Sequence, residues 1–466
     1  MQSSLLFLIN NEVSDLNKVF IKGQTIAAKV WSSKYYLPAL VLIAAIAAFT
    51  KTALECMYVY VAICVFMFLL CDDMLSVFAP ILFTLQISIE YYRDYSVLTQ
   101  YMWYAIVPFA AAMLFNIVYY RRPMVRGKFL YPLAAVSAAL ILGGIGTISS
   151  KEYFSATGLY YVLGLGAGQL VLYMLFTSRL ENKRDYDRIL RVSQVIYAAG
   201  LVFAFFIFGF YAENFAKFLE KGGVLFFKPR NYVTSVFLMS IPMVCILAKR
   251  SNVYLIGAAL MYAAMLLSGS RSGLLFGTVI MLVCAVYLYI TNKKSRRLYN
   301  WLFGAAIVLG GAAAAVLIPK LYSARFASGG VGDKTRIEFI KRGISNFLEH
   351  PLFGIGVGSM KDLSIFKAYV PGSLMFYHNI VIQIISSTGL AGAVAYGWQF
   401  ILRVKTLLEN RKSELLAFGF TYLGILMMSF TNPGIFCPFP EAGLLTLIFA
   451  LIEKESKTQN ITEEEK

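Results

Sequence analysis

The sequence predicts an all-α, polytopic integral membrane protein, a helical bundle of about 12–14 transmembrane helices. Composition is the first observation behind this. Of 466 residues, 59% are apolar and 14% charged, against roughly 45–50% and about 25% in soluble domains. A water-soluble globule of this size has too much surface to cover with so little charge. Second, apolar runs of about 14 to 25 residues recur along the chain, each bounded by a short polar or basic connection. Third, these runs do not alternate apolar with polar residues, as strands of a membrane barrel would. Lipid offers backbone groups no partners, so continuous apolar runs must satisfy them internally as helices.

Taken in order, residues 1–34 mix apolar and polar positions and read as a cytoplasmic or interfacial amino-terminal segment. Its first apolar patch, LLFLI, is too short for a cleavable signal peptide and lacks a basic flank. A bundle of about eleven spans occupies 35–318. They are read at about 35–50, 53–71, 74–90, 101–120, 129–148, 158–177, 192–211, 232–248, 252–268, 273–290 and 301–318. An outer loop at 212–231 interrupts them, and a large outer loop fills 319–377. The final spans fall at about 378–402, 414–430 and 435–452, before a cytoplasmic tail at 453–466. Several runs are short for a hydrocarbon core of about 30 Å, which is why the count stays between twelve and fourteen.

Charge orients the bundle. The net charge of +17 would suggest nucleic acid in a soluble protein, but here the basic residues line connections. With the amino terminus in the cytoplasm, RRPMVRGK, SRLENKRDYDRILR, NKKSRR and RVKTLLENRK all fall inside. Both termini are then cytoplasmic. SGSRSG, the 319–377 loop and both histidines face outward. Cys56, Cys64 and Cys71 have no zinc-type spacing and read as small apolar residues.

The outer segments hold the chemistry-bearing residues. DKTRIEFIKRGISNFLEHP reads as an amphipathic helix capped by Asp333 and stopped by Pro351. Ile337, Ile340, Ile344, Phe347 and Leu348 would form its apolar face. GIGVG follows without the strand or lysine of a phosphate loop, so a tight turn or close backbone approach is the better reading. Arg230 abuts a span, and Arg271 lies in LLSGSRSGLLFG between two apolar runs with no acidic neighbour. A guanidinium near hydrocarbon must snorkel, pair with a distant carboxylate or bind an anion. His350, before a proline, reads as a surface or capping residue. His378 starts the next span, where it either anchors the chain through a hydrogen bond or serves chemistry.

An outer face has no ATP, so a transferase there needs a donor activated beforehand. A glycan on a polyprenyl diphosphate meets that need. Arginines suit its diphosphate through bidentate, permanently charged contacts, and they stabilise charge growing on the leaving group. A neutral histidine can take the acceptor's proton. Here the chain resembles the O-antigen ligase and polymerase superfamily. The pattern H-[NSQ]-x9-G-x-x-[GTY] is met by His378, Asn379, Gly389 and Gly392; SGSRSGLL fits R-x3-L with Arg271 and Leu275. KTRIEFIKRGISNFLEHPLFGIGVGSM is similar to the family's outer-loop stretch and makes Arg336 its arginine. In KPRN, Arg230 is shifted from the family's arginine.

The resemblance implies a metal-independent, inverting C-type glycosyltransferase with no cofactor, in the bacterial inner membrane and facing the periplasm or exterior. His378 would be catalytic, and Arg271, Arg336 and Arg230 would bind the substrate diphosphate. Asn379, Gly389 and Gly392 would support them, the glycines by admitting a neighbouring helix. Implied partners are the polyprenyl-diphosphate-linked glycan, a glycan acceptor, membrane lipids, and a flippase and chain-length regulator, without nucleic acid. Polymerisation of repeat units is the first reading and ligation to lipid A core or another surface acceptor the second. Two other classes are weighed. An anion transporter would show two matching halves; Gly143, Gly144 and Gly146 offer at most one broken span. A metal-dependent glycosyltransferase would need outer carboxylates, for which Asp94 and Glu90 are the candidates.

Overall fold

The computed structural model describes residues 18–88, 96–149, 161–180, 187–221, 224–225, 227, 230–301, 331–357, 376–411, 414–432, 436 and 441–464. Asp94, Glu90, Gly358 and nearly all of the 301–318 span lie outside them. No strand occurs among the described residues. The main helices are α1 (Lys18–Ser32), α2 (Tyr36–Thr50), α3 (Ala53–Leu70), α4 (Met74–Ile87), α5 (Ser96–Tyr120) and α6 (Leu130–Ser149). They continue with α7 (Gly168–Arg179), α8 (Arg188–Glu213), α9 (Arg230–Ser240), α10 (Val253–Leu267) and α11 (Arg271–Thr291). The last are α12 (Val331–Glu349), α13 (Ile380–Glu409), α14 (Leu416–Ser429) and α15 (Gly443–Glu464). Five helices among the described residues are long and apolar enough to cross a membrane, and α1 with α2, bent by 75°, forms a sixth candidate. The protein is an all-α, multi-pass membrane protein.

The chain divides into two compact units. One comprises residues 1–126 and 174–229. Its helix ends are fastened by buried polar residues. Asp73 caps α4 through the Leu75 amide and accepts from Trp31 Nε1. Tyr60 donates to the Leu40 carbonyl at 2.6 Å and Tyr36 to that of Ser76 at 2.9 Å. Cys56, Cys64 and Cys71 are buried, as their apolar surroundings suggested.

The other unit comprises 127–173 and 230–466 and contains every candidate site residue. Its centre is apolar, with Phe237, Leu238, Met239, Phe418, Ile425, Leu444 and Ile448 all fully enclosed. α9 and α14 run antiparallel through it. Thr421 Oγ1 donates to the Met239 carbonyl, and Gly424 lets the Leu238 backbone approach. α15 runs on to Glu464, so a helix continues through much of what reads as tail. Where that tail was expected to begin, Glu453 is buried, and its carboxylate accepts from the Lys128 amide and from the Tyr173 hydroxyl. Likewise α13 passes residue 402, and Arg403 is buried rather than part of a loop. Its guanidinium lies over Phe449 and Tyr422, 5.1 and 5.9 Å from the ring centroids.

α13 is not one straight span. Gly389 has φ +62° and ψ −155°, outside helical geometry. A helix broken inside an apolar segment exposes carbonyls before the break and amides after it. The turn at residues 351–356 satisfies both sets. Ile355 and Gly356 amides donate to the Ser386 and Ser387 carbonyls at 2.9 and 3.0 Å. Leu390 and Ala391 amides donate to the Pro351 and Leu352 carbonyls at 2.8 and 3.1 Å. The GIGVG turn is thus a close backbone approach, and Gly354, at φ +71°, allows it. α6 runs unbroken through its glycines, and Gly143 sits against the Ser387 and Phe353 carbonyls.

Two expectations about the supporting glycines change here. A Cβ on Gly389 would lie 2.5 Å from the Leu352 and Phe353 backbone, so the closest approach is by the turn and not by a neighbouring helix. At Gly392 the crowding comes from Thr388 of the same helix. Gly389→Ala is therefore expected to cost about 1–3 kcal/mol from backbone strain alone, before the clash with Leu352. Gly392→Ala carries no positive-φ strain, although its methyl would meet Thr388 Cβ at 2.4 Å as well as the rotatable Oγ1, and it should cost less. Denaturation midpoints of the two purified variants check the order, and equal midpoints would contradict it.

Candidate functional site

α12 differs from its expected form in two ways. It begins at Val331, so Asp333 lies inside the helix and is not its cap. The packed face is also different. Phe339, Gly343 and Asn346 face the start of α13, whereas Ile337, Ile344 and Leu348 are exposed, at 55%, 42% and 70%. Spacings of four and three residues keep the packed three on one stripe. Gly343 decides which stripe packs, since a Cβ there would come within 2.2 Å of the Ile382 side chain. One turn on, Asn346 Nδ2 donates to the Tyr377 hydroxyl at 2.7 Å. That hydroxyl also accepts from Ser386 Oγ at 2.7 Å, while the Tyr377 amide donates to Gln383 Oε1 at 3.0 Å.

This frame delivers His378. Asn379 caps α13, its Oδ1 accepting from the Val381 and Ile382 amides at 3.0 and 3.2 Å. Its Nδ2 donates to the Phe430 carbonyl just beyond α14. Caps of this kind contribute about 1 kcal/mol. His378 precedes the cap with φ +53°, a left-handed conformation that side chains other than glycine rarely adopt. The half-buried imidazole places Nδ1 2.8 Å from Asn432 Oδ1, and the Phe339 ring stands 5.6 Å from it, centroid to centroid. Burial pushes the imidazole below its ordinary pKa. The Asn432 hydrogen bond works against that shift, and the positive charge of Arg336 adds to it. His378 therefore stays neutral to lower pH than a free histidine. His350 is exposed and makes no part of this frame.

Arg230 and Arg271 meet on two neighbouring helix starts. α9 and α11 are parallel and closest where Gly273 admits the Thr234 side chain. Ser270 caps α11 by accepting from the Gly273 amide at 3.1 Å. The Ser270 hydroxyl donates to Asn231 Oδ1 at 2.8 Å and accepts from Thr234 Oγ1 at 3.3 Å. Arg230 Nη1 donates to the Gly269 carbonyl at 3.2 Å. The two guanidinium groups lie close enough to repel each other. Among the described residues, neither Arg271 nor Arg336 makes an ion pair, and Glu338 is taken by Arg342 at 3.1 Å. Two helix amino termini bring partial positive charge to the same place, an arrangement that suits an anion.

The arginine pair and the histidine occupy one end of the unit. From the Leu238–Gly424 contact, counting outward at about 1.5 Å per residue places Arg230 and Asn432 at similar height, roughly 12 Å away. An apolar groove of about 290 Å³ starts at this end, lined by Ile380, Val381, Ile384, Leu426 and Phe430 among others. No group of three or more His, Cys, Asp or Glu side chains with the geometry to hold a metal occurs among the described residues.

Residues 256–397 match the family model described as O-antigen ligase. The match covers 142 of the 466 residues, and over that segment the chain is similar to the O-antigen ligase family. No curated protein matches the chain. The matched segment includes Arg271, Arg336, His378, Asn379, Gly389 and Gly392, while Arg230 and Asn432 stand outside it. Sequence reasoning missed Asn432, Asn231, Tyr377 and Asn346. Asn432 carries a weak signal, a polar TNPG stretch directly after an apolar run in the sequence; the others gain their role from contacts distant in sequence.

Proposed function

We propose that the protein is a metal-independent, inverting glycosyltransferase of the bacterial inner membrane, active on its outer face. It polymerises oligosaccharide repeat units carried on polyprenyl diphosphate. What supports this reading is that Arg230, Arg271 and His378 lie at similar height at one end of one unit, with Arg336 close enough to act on the His378 ring. Arg271 and Arg336 bind the donor diphosphate, and Arg230, tied to Gly269, contributes charge from the side. The polyprenyl chain enters the apolar groove beside Ile380. The acceptor hydroxyl attacks the anomeric carbon from the face opposite the diphosphate. As the carbon–oxygen bond to the diphosphate breaks, its electron pair passes to the leaving oxygen, where the arginines stabilise it. The hydroxyl proton goes to His378.

The donor carries its own activation, so turnover should survive EDTA. The product formed from one purified lipid-linked repeat unit tests the reading. A ladder of lengthening lipid-linked oligomers, with no other acceptor supplied and chelator present, is expected. One-step transfer that appears only when a core glycolipid is added would replace polymerase by ligase. Loss of turnover to EDTA, with recovery on adding magnesium, would replace the histidine mechanism by a metal-dependent one.

A further inference from the structure

Asn432 lies outside the matched domain, yet its amide oxygen is 2.8 Å from the Nδ1 atom of His378. An amide oxygen only accepts, so this contact requires the proton to sit on Nδ1. The other ring nitrogen then carries a lone pair. We propose that Asn432 is the positioning residue for His378: it holds the ring as the Nδ1–H tautomer and leaves Nε2 as the atom that takes the acceptor's proton. This rests on the glycosyltransferase reading, and it names the group and the atom by which that reading works.

The surroundings make the bond a directional one. Asn432 follows α14 by three residues, and the same turn receives Asn379 through the Phe430 carbonyl. The end of α14 therefore grips two successive residues at the start of α13. Phe339 covers the imidazole from α12. Among the described residues, Arg336 is the charged group acting on the ring. The α14 turn contributes uncharged Phe430 and Asn432, and the first turn of α13 contributes uncharged Asn379 and Gln383. An amide partner orients the ring without adding charge. A carboxylate in its place would orient it equally well but would favour the imidazolium, a poorer proton acceptor near neutral pH.

The test uses the full-length protein. With only two histidines, a His350→Gln background leaves His378 as the single imidazole. In that background nitrogen NMR of labelled histidine should show a protonated, pyrrole-type Nδ1 and a pyridine-type Nε2 at neutral pH. Asn432→Ala should move the ring toward the Nε2–H form and lower turnover with little change in KM. Asn432→Asp should keep the Nδ1–H form and recover turnover at high pH. Its acid limb should shift upward by about 1–3 pH units, the effect expected of an adjacent opposite charge. A pyrrole-type Nε2 in the parent, or an Asn432→Asp pH profile that overlies the parent's, overturns the proposal, including where Asn432→Ala fails to fold. Full transfer by His378→Ala would instead remove the histidine mechanism itself, and Asn432 with it. Loss in His378→Ala with an unshifted Asn432→Asp profile rejects only the role of Asn432.

Discussion

Arg271→Ala is expected to lower glycan transfer by about 10²–10³-fold, the range seen when one preorganised stabiliser of developing charge is removed. The protein should still insert and purify normally. Arg271 is exposed at the first position of α11 and makes no ion pair among the described residues, so little of the fold depends on it. Arg230 repels it. Removing one of two like charges at adjoining helix starts should therefore leave thermal stability unchanged or raised, while activity falls. Such opposite movements mark a residue kept for function at some expense of stability. Arg271→Lys should restore little, because a point charge does not reproduce the bidentate fork on a diphosphate. Rates with a defined lipid-linked donor, set beside thermal unfolding of the same preparations, decide it. Full activity of Arg271→Ala would remove this arginine from the mechanism.

The all-α, multi-pass architecture was legible because its signals are local. Length and apolarity define a span wherever its neighbours lie, and an arginine between apolar runs stands out without a structure. α12 shows where such reasoning ends. Its most regular aliphatic stripe, Ile337–Ile344–Leu348, is the exposed one. In a protein that meets lipid as well as its own core, apolar periodicity does not say which apolar environment a face enters. Docking was settled by Gly343, which an apolar pattern cannot register, and by the Asn346–Tyr377 bond.

The break in α13 was hidden for a related reason. STGLAGAVAYG is apolar and glycine-containing in either state, and the partners of its freed backbone groups come from Pro351 to Gly356. That part of the chain precedes His378 by more than twenty residues. The resemblance singled out Gly389, but the contacts that surround it appeared only with the turn in place. The Arg230–Arg271 approach is likewise tertiary, since it depends on α9 and α11 starting side by side at Thr234 and Gly273.

His378→Ala should leave binding of the lipid-diphosphate donor intact and lower turnover by about 10²–10⁴-fold, the contribution of a positioned general base. The loss belongs in kcat because the proton moves only as the acceptor attacks. In the parent enzyme, kcat/KM should fall as pH drops through the free-enzyme pKa of His378, since the protonated ring has no lone pair to offer. Burial lowers that pKa, so the fall should lie below the ordinary histidine value of about 6.5. The competing account makes His378 an anchor for α13 through Asn432, and backbone geometry separates the two. At φ +53° a side chain costs about 1–3 kcal/mol that glycine would not. His378→Gly loses the Asn432 bond, worth roughly 1 kcal/mol, but gains relief from that strain. It should fold at least about as well as the parent and remain inactive. An anchoring histidine would give the reverse, a less stable protein with normal turnover per folded molecule. A strained residue retained at no benefit to the fold is what the chemistry requires, because the left-handed turn lets the ring reach Asn432 while Asn379 begins the helix.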